Sequence, residues 1–252
     1  TDALKEIHGQ YGIAGLLNTA IRSGASGTIG ALAAESVLDQ EELLALVILA
    51  FQKRSESESA TRASEWLIQG ILGARLNDQK REAVLRSAIT AIGPENAVRL
   101  LALAPFGEAT WSLVYSYGEK AETQYWKEVV PSWLLDAPAE IAKAVDRLMK
   151  ARRPRAAFAL VKYHPEKLPV RTLFQLLTVM AQDGDDKAGE YLLEHYHVER
   201  AFECINETSE LSLEQKAGLE FAYLDVLDRA WGRHAKSAIP NLERYIEDHP
   251  EV

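Results

Sequence analysis

The chain has 252 residues, 47% of them hydrophobic, and a formal net charge of -9. This hydrophobic fraction excludes an intrinsically disordered chain, and the acidic balance excludes a protein whose whole surface binds a phosphate backbone. The single cysteine, Cys204, excludes an internal disulfide framework and a cysteine-rich zinc site. The length allows one large domain, two small domains or an array of repeats.

Apolar residues recur at every third or fourth position along most of the chain, which predicts amphipathic helices. The segment after Asp39 shows this clearly, because Glu42 completes a capping-box pattern and Lys53 lies in the last turn. Only residues 111–117 alternate in a way that would also suit a strand. We predict helices over residues 11–22, 26–36, 40–53, 58–75, 78–91, 95–104, 108–117, 120–130, 138–151, 154–163, 169–181, 185–195, 198–206, 213–232 and 240–248.

The first residues do not have the basic start and apolar core of a signal peptide. The longest apolar run, residues 43–51, has nine residues, about half of what a membrane span needs. We therefore expect a cytoplasmic chain with no membrane segment. Because the sequence begins at Thr1 without a methionine and stops shortly after an amphipathic stretch, we also expect a fragment of a larger protein.

The most informative feature is an internal repeat in which residues 146–161 match residues 190–205 at an offset of 44. Both copies continue through a polar turn that contains a glutamate into another apolar helix, and residues 95–101 are a weaker echo. The matched pairs include Leu148 with Leu192, Ala157 with Ala201, Phe158 with Phe202, Leu160 with Cys204, and Val161 with Ile205. Repeated helical units of this kind bury their apolar faces against one another.

An offset of 44 residues falls within the range of about 40–47 for HEAT and armadillo units and exceeds that of tetratricopeptide repeats. On these copies the chain resembles the α-solenoid helical-repeat superfamily, and is HEAT-like at the level of class. The resemblance implies an all-α superhelical array of antiparallel, right-handed helix pairs that binds a macromolecule along a concave face. We divide the chain into an N-terminal helical segment, 1–94, and a helical-repeat segment, 95–252, that is continuous with the first. An irregular helical bundle is the alternative.

The charge is distributed unevenly. Residues 1–140 carry 12 basic and 18 acidic side chains, residues 141–171 carry 9 and 2, and residues 172–252 carry 7 and 17. We call residues 141–171 the basic island. Six cations in its first half, the first three of them spaced to share one helix face, are candidates for binding a partner: Lys143, Arg147, Lys150, Arg152, Arg153 and Arg155.

Three interpretations of the basic island remain open. Its cations could pair with acidic residues of neighbouring repeats, they could bind an acidic protein partner, or they could bind nucleic acid. Trp126 and Trp133, in the segment that interrupts the repeat spacing, are further candidates for partner binding, with a structural role in the core as the alternative.

Catalytic and metal-binding patterns are incomplete. Glu194 and His197 match one half of a di-iron carboxylate site, but His195 and His197 point in different directions on a helix, so we interpret this group as a solvated helix end. Cys204 fits a small core residue better than a nucleophile. The glycine-rich segment 23–30 lacks the phosphate-binding lysine and predicts a tight turn with close backbone packing.

We therefore predict a non-catalytic scaffold module for protein interaction or sensing, with a protein partner, no cofactor and no metal. The first alternative is a nucleic-acid-binding helical-repeat domain that uses residues 143–171. The second is a helical hydrolase or metalloenzyme that uses Glu190, His195 and His197.

Overall fold

The computed structural model describes residues 1–54, 57–132, 135–182, 195–224 and 239–250. Within these ranges the protein is all-α, with 14 α-helices, two short 3-10 helices and no strand. The helices are α1 (Asp2–Ser23), α2 (Ser26–Ser36), α3 (Gln40–Lys53), α4 (Glu58–Gly73), α5 (Asp78–Ile92), α6 (Ala97–Leu101), α7 (Glu108–Ser116), α8 (Glu119–Glu128), α9 (Pro138–Lys150), α10 (Pro154–Ala159), α11 (Val170–Gln182), α12 (His195–Glu207), α13 (Leu213–Ala222) and α14 (Pro240–Asp248). The 3-10 helices are Pro94–Asn96 and Pro165–Lys167.

The all-α prediction is confirmed, and residues 111–116 of the ambiguous segment 111–117 lie in helix α7 rather than in a strand. Five helices differ from their predicted bounds by three residues or more at one end. α6 ends at Leu101 instead of residue 104, α10 ends at Ala159 instead of residue 163, and α12 begins at His195 instead of residue 198. α1 and α13 differ most. α1 begins at Asp2 instead of residue 11, and it consists of two helical stretches that meet at a kink at Gly12, where φ is 60° and ψ is -160°. α13 ends at Ala222 instead of residue 232. The predicted helix at 185–195 lies outside the described residues except for its last position.

The chain forms two compact units, Thr1–Val130 and Pro131–Val252, which we call the first and second unit. The predicted boundary at residue 95 lies inside the first unit and stays a prediction. No helix in the described ranges is both long and apolar enough to cross a membrane.

Backbones of α2 and α4 approach each other closely in the first unit, because glycines occupy the contact. A Cβ atom on Gly30 would overlap the carbonyl oxygen of Leu67, and one on Gly70 would overlap the carbonyl oxygen of Gly27. The turn before α2 is made by Gly24, whose φ is 69°. The close backbone packing predicted for segment 23–30 is therefore confirmed.

Three matched positions are buried in both repeat copies of the second unit, whereas Leu160 is buried and its counterpart Cys204 is only half-buried. Ala157 and Phe158 lie in α10 and Val161 follows it, whereas their counterparts lie in α12. All six residues are buried. The counterparts are Ala201, Phe202 and Ile205. α10 is much shorter than α12, so the copies share a burial pattern without sharing helix length.

One face of α13 carries two buried charges that connect its neighbours. The ammonium group of Lys216 donates to the carbonyl oxygens of Asn206, at 2.9 Å, and Thr208, at 2.5 Å. These carbonyl groups lie at the end of α12, where the helix leaves acceptors without partners and favours a positive charge. Lys216 therefore caps the C-terminal end of α12.

Glu220, one helical turn after Lys216, caps the N-terminal end of α14. Its carboxylate accepts hydrogen bonds from the Asn241 side-chain amide at 2.6 Å and from the backbone N–H of Leu242 at 2.7 Å. Burial raises the pKa of Glu220, and these hydrogen bonds offset part of the rise. α14 is thus joined to α13 through a buried carboxylate.

Raising the pH is expected to destabilise the native chain relative to Glu220→Gln. Because the folded chain holds the Glu220 proton more tightly than the unfolded chain does, stability falls as the pH rises between the unfolded and folded pKa values. The thermal midpoint of Glu220→Gln should therefore fall less than that of the native chain between about pH 4 and about pH 7. Glu247→Gln, at an exposed position of α14, is the matched control and should follow the native chain. Equal losses for both variants would contradict the prediction.

Candidate protein-interaction surface

α9 presents the first three cations of the basic island. Ile141, Val145 and Leu148 recur at helical spacing and therefore share one face of α9. This apolar face is buried. Lys143 and Arg147 are half-buried and Lys150 is exposed. The Lys150 ammonium lies 2.7 Å from the Asp146 carboxylate, one turn earlier on the helix. These cations thus lie away from the buried apolar stripe, as their spacing predicts.

The turn after α9 holds Arg152 in an unusual backbone conformation. Its φ is 58°, the left-handed region that favours glycine, and its side chain is exposed. An L-residue with a Cβ atom costs roughly 1–2 kcal/mol in this region. Arg153 follows, and its backbone N–H donates to the carbonyl oxygen of Leu148 at 2.9 Å, which closes the turn.

Arg155, in the first turn of α10, is half-buried. Its Nε is shielded from solvent and has no hydrogen-bond partner among the described residues. Its positive charge also lowers the pKa of Tyr223, although burial dominates and raises that pKa. Arg155 therefore belongs partly to the interior of the second unit, unlike Arg152.

Several cations in the second half of the basic island pair with acidic residues. The Lys167 ammonium lies 2.9 Å from Oδ1 of Asp136, and this hydrogen bond lowers the pKa of Asp136. Arg171 lies 3.5 Å from the Glu210 carboxylate. Lys167 and Arg171 thus pair with acidic neighbours, as Lys150 does in the first half of the island.

Two exposed tyrosines flank a buried histidine beside the basic island. The His197 ring lies 4.9 Å from the Tyr163 ring and 3.9 Å from the Tyr196 ring, measured between centroids. His197 is only 2% exposed, so the interpretation of this group as a solvated helix end was wrong for His197. The ammonium of Lys162 lies 4.9 Å from the Tyr163 ring centre, so Tyr163 contacts a cation of the basic island.

The residues considered for catalysis and metal binding are only partly described. Glu190 and the side chain of His195 lie outside the described residues. Within the described ranges, no three histidine, cysteine or carboxylate side chains come close enough to hold a metal ion. Burial raises the pKa of the half-buried Cys204 thiol, and the Glu166 carboxylate adds to the rise, which disfavours the nucleophilic thiolate. The Ser26 hydroxyl is buried and donates to the carbonyl oxygen of Ala20 at 2.9 Å.

Trp126 lies in the core of the first unit. It is 3% exposed, and its ring centroid lies 5.4 Å from those of Trp111 and Tyr125 and 6.0 Å from that of Phe106. Trp126 therefore has the position of a core residue, which was the alternative to partner binding. Trp133 lies outside the described residues.

The first unit also contains an open cavity of about 630 Å³. Its charged lining residues are Arg54, Glu65, Arg99 and Glu128. The sequence alone does not predict this cavity, because its walls come from four separate helices and no local residue spacing indicates it.

The chain matches no family model, and neither a curated protein nor a solved structure shows significant similarity to it. The class that the structure supports is therefore an all-α protein of packed helices.

Proposed function

We propose that the chain is a non-catalytic interaction module, a HEAT-like array whose basic surface binds an acidic segment of a cytoplasmic protein partner. The basic surface is formed by the six cations Lys143, Arg147, Lys150, Arg152, Arg153 and Arg155. The shared burial pattern of the two repeat copies supports the array.

Arg152 is the observation that carries this proposal. An exposed arginine occupies a backbone conformation in which glycine would cost less free energy. The turn itself does not require a long cationic side chain, so a role in binding accounts for it. Arginine recognises carboxylates through paired hydrogen bonds, which suits an acidic partner.

The local charge supports an acidic protein segment rather than nucleic acid. The basic island has nine cations, but residues 172–252 carry 17 acidic against 7 basic side chains. Phosphate backbones would need the positive surface to continue over several helices. A short acidic peptide needs only the length of α9 and the following turn.

Charge reversal on the basic surface tests the proposal with labelled poly-L-glutamate as the probe. Arg152→Glu combined with Arg153→Glu should weaken binding by about tenfold or more at low salt, because attraction becomes repulsion. Lys120→Glu combined with Lys127→Glu, at exposed positions of α8, makes the same change in net charge and should have an effect of about twofold or less. Fluorescence anisotropy measures both.

A DNA duplex with the same label separates the two ligand classes. Tighter binding of the duplex than of poly-L-glutamate, with a steep loss on adding salt, would support the nucleic-acid alternative. Failure of the native chain to bind poly-L-glutamate at low salt, or equal weakening by both charge reversals, would overturn the proposal.

A further inference from the structure

The cavity of the first unit has the size of a small-molecule site. Its volume, about 630 Å³, lies within the range of ligand pockets. α4 lines it with Thr61, Glu65 and Gln69, which are spaced by four residues and so share one face of the helix. The ends of α3 and α8, together with α6, supply the other walls.

Two of the four charged lining residues neutralise each other. Nη2 of Arg54 lies 2.5 Å from Oε1 of Glu65, and the guanidinium carbon lies 4.9 Å from the centre of the Phe51 ring. Both contacts hold the Arg54 side chain in place. This half of the lining is therefore fixed and carries no net charge.

Arg99 and Glu128 supply an unbalanced cation and an unbalanced anion. Both line the cavity and both are exposed. Neither forms an ion pair with any described residue, and they do not pair with each other, although α6 and α8 are packed together. The Glu128 carboxylate accepts a hydrogen bond only from the neutral Gln124 amide among the described residues.

We propose that this cavity binds a zwitterionic small molecule of the amino-acid or short-peptide class. The ligand carboxylate pairs with Arg99, and the ligand ammonium group pairs with Glu128. An apolar ligand side chain packs against Leu103 and Val130, the latter 66% exposed. The carboxylates of the lining would repel a simple anion, and its guanidinium groups would repel a simple cation. Only a ligand that carries both charges complements both kinds of lining group. This site is independent of the basic surface.

Three forms of one dipeptide test the proposal by titration calorimetry. L-leucyl-L-leucine carries both charges, its N-acetyl derivative lacks the ammonium group, and its C-terminal amide lacks the carboxylate. The unmodified dipeptide should bind with a Kd of about 1 mM or tighter, and each derivative should bind about tenfold more weakly.

Variants assign the two charges to their residues. Arg99→Ala should abolish the preference for the dipeptide over its amide, and Glu128→Gln should abolish the preference over its N-acetyl derivative. Lys120→Ala, on α8, is the matched control and should leave binding unchanged. Because Arg99 and Glu128 are exposed, both variants should have the same thermal unfolding midpoint as the native chain.

Three results would overturn the proposal. The first is no saturable binding of the dipeptide up to about 10 mM. The second is equal affinity for the dipeptide, its N-acetyl derivative and its amide. The third is that Arg99→Ala and Glu128→Gln bind the dipeptide and its derivatives as the native chain does.

Discussion

Gly70→Ala is expected to lower the free energy of unfolding of the first unit by about 3 kcal/mol. The added Cβ would overlap the carbonyl oxygen of Gly27 in α2. Because this obstacle is backbone rather than a flexible side chain, relief requires α2 to move away from α4. Urea denaturation followed by circular dichroism measures the loss.

Gly73→Ala is the matched control, since Gly73 lies three residues later in α4 and a Cβ there would have no neighbour within 4 Å. Alanine favours helix over glycine by up to about 1 kcal/mol, so this variant should be unchanged or slightly more stable. Equal stability of the Gly70 and Gly73 variants would show that α2 and α4 do not make the close backbone contact.

Trp126→Ala is expected to cost about 3–5 kcal/mol of stability, because it removes a large side chain from a buried aromatic cluster. Trp66→Ala is the control, since Trp66 is 48% exposed, and it should cost about 1 kcal/mol or less. Chemical denaturation of both variants gives the comparison. If Trp126→Ala were as stable as the native chain, Trp126 would not be a core residue.

The helices could be predicted because their signals are local. Asp39 caps α3 with the capping box that its sequence pattern predicts, and Ser212 with Gln215 forms the same motif at the start of α13. The predicted start of α1 at residue 11 lies next to the kink at Gly12, and only the helical stretch before that kink was not predicted. At the end of α13, the hydroxyl of Tyr223 donates to the carbonyl oxygen of Leu177 in α11 at 2.8 Å, a tertiary contact that no local sequence pattern predicts.

The candidate sites could be predicted only in part, for the same reason. Sequence counting located the basic island, because its cations lie within one short stretch of the chain. The left-handed conformation of Arg152 and the position of His197 between two tyrosines depend on chain geometry that no spacing encodes. The cavity beside Arg99 and Glu128 depends on how four helices pack.

The attachment of α14 has a consequence for how the second unit opens. No residue of α14 is buried in the described structure, and Ile246 is 50% exposed, whereas Glu220 of α13 holds the start of this helix by hydrogen bonds. A helix held in this way opens at a lower free energy than helices that contribute fully buried side chains. Amide hydrogens of α14 should accordingly exchange with solvent before those of α11, where Leu173 and Leu177 are fully buried. The second unit thus has a labile edge, and its slowest-exchanging residues lie elsewhere.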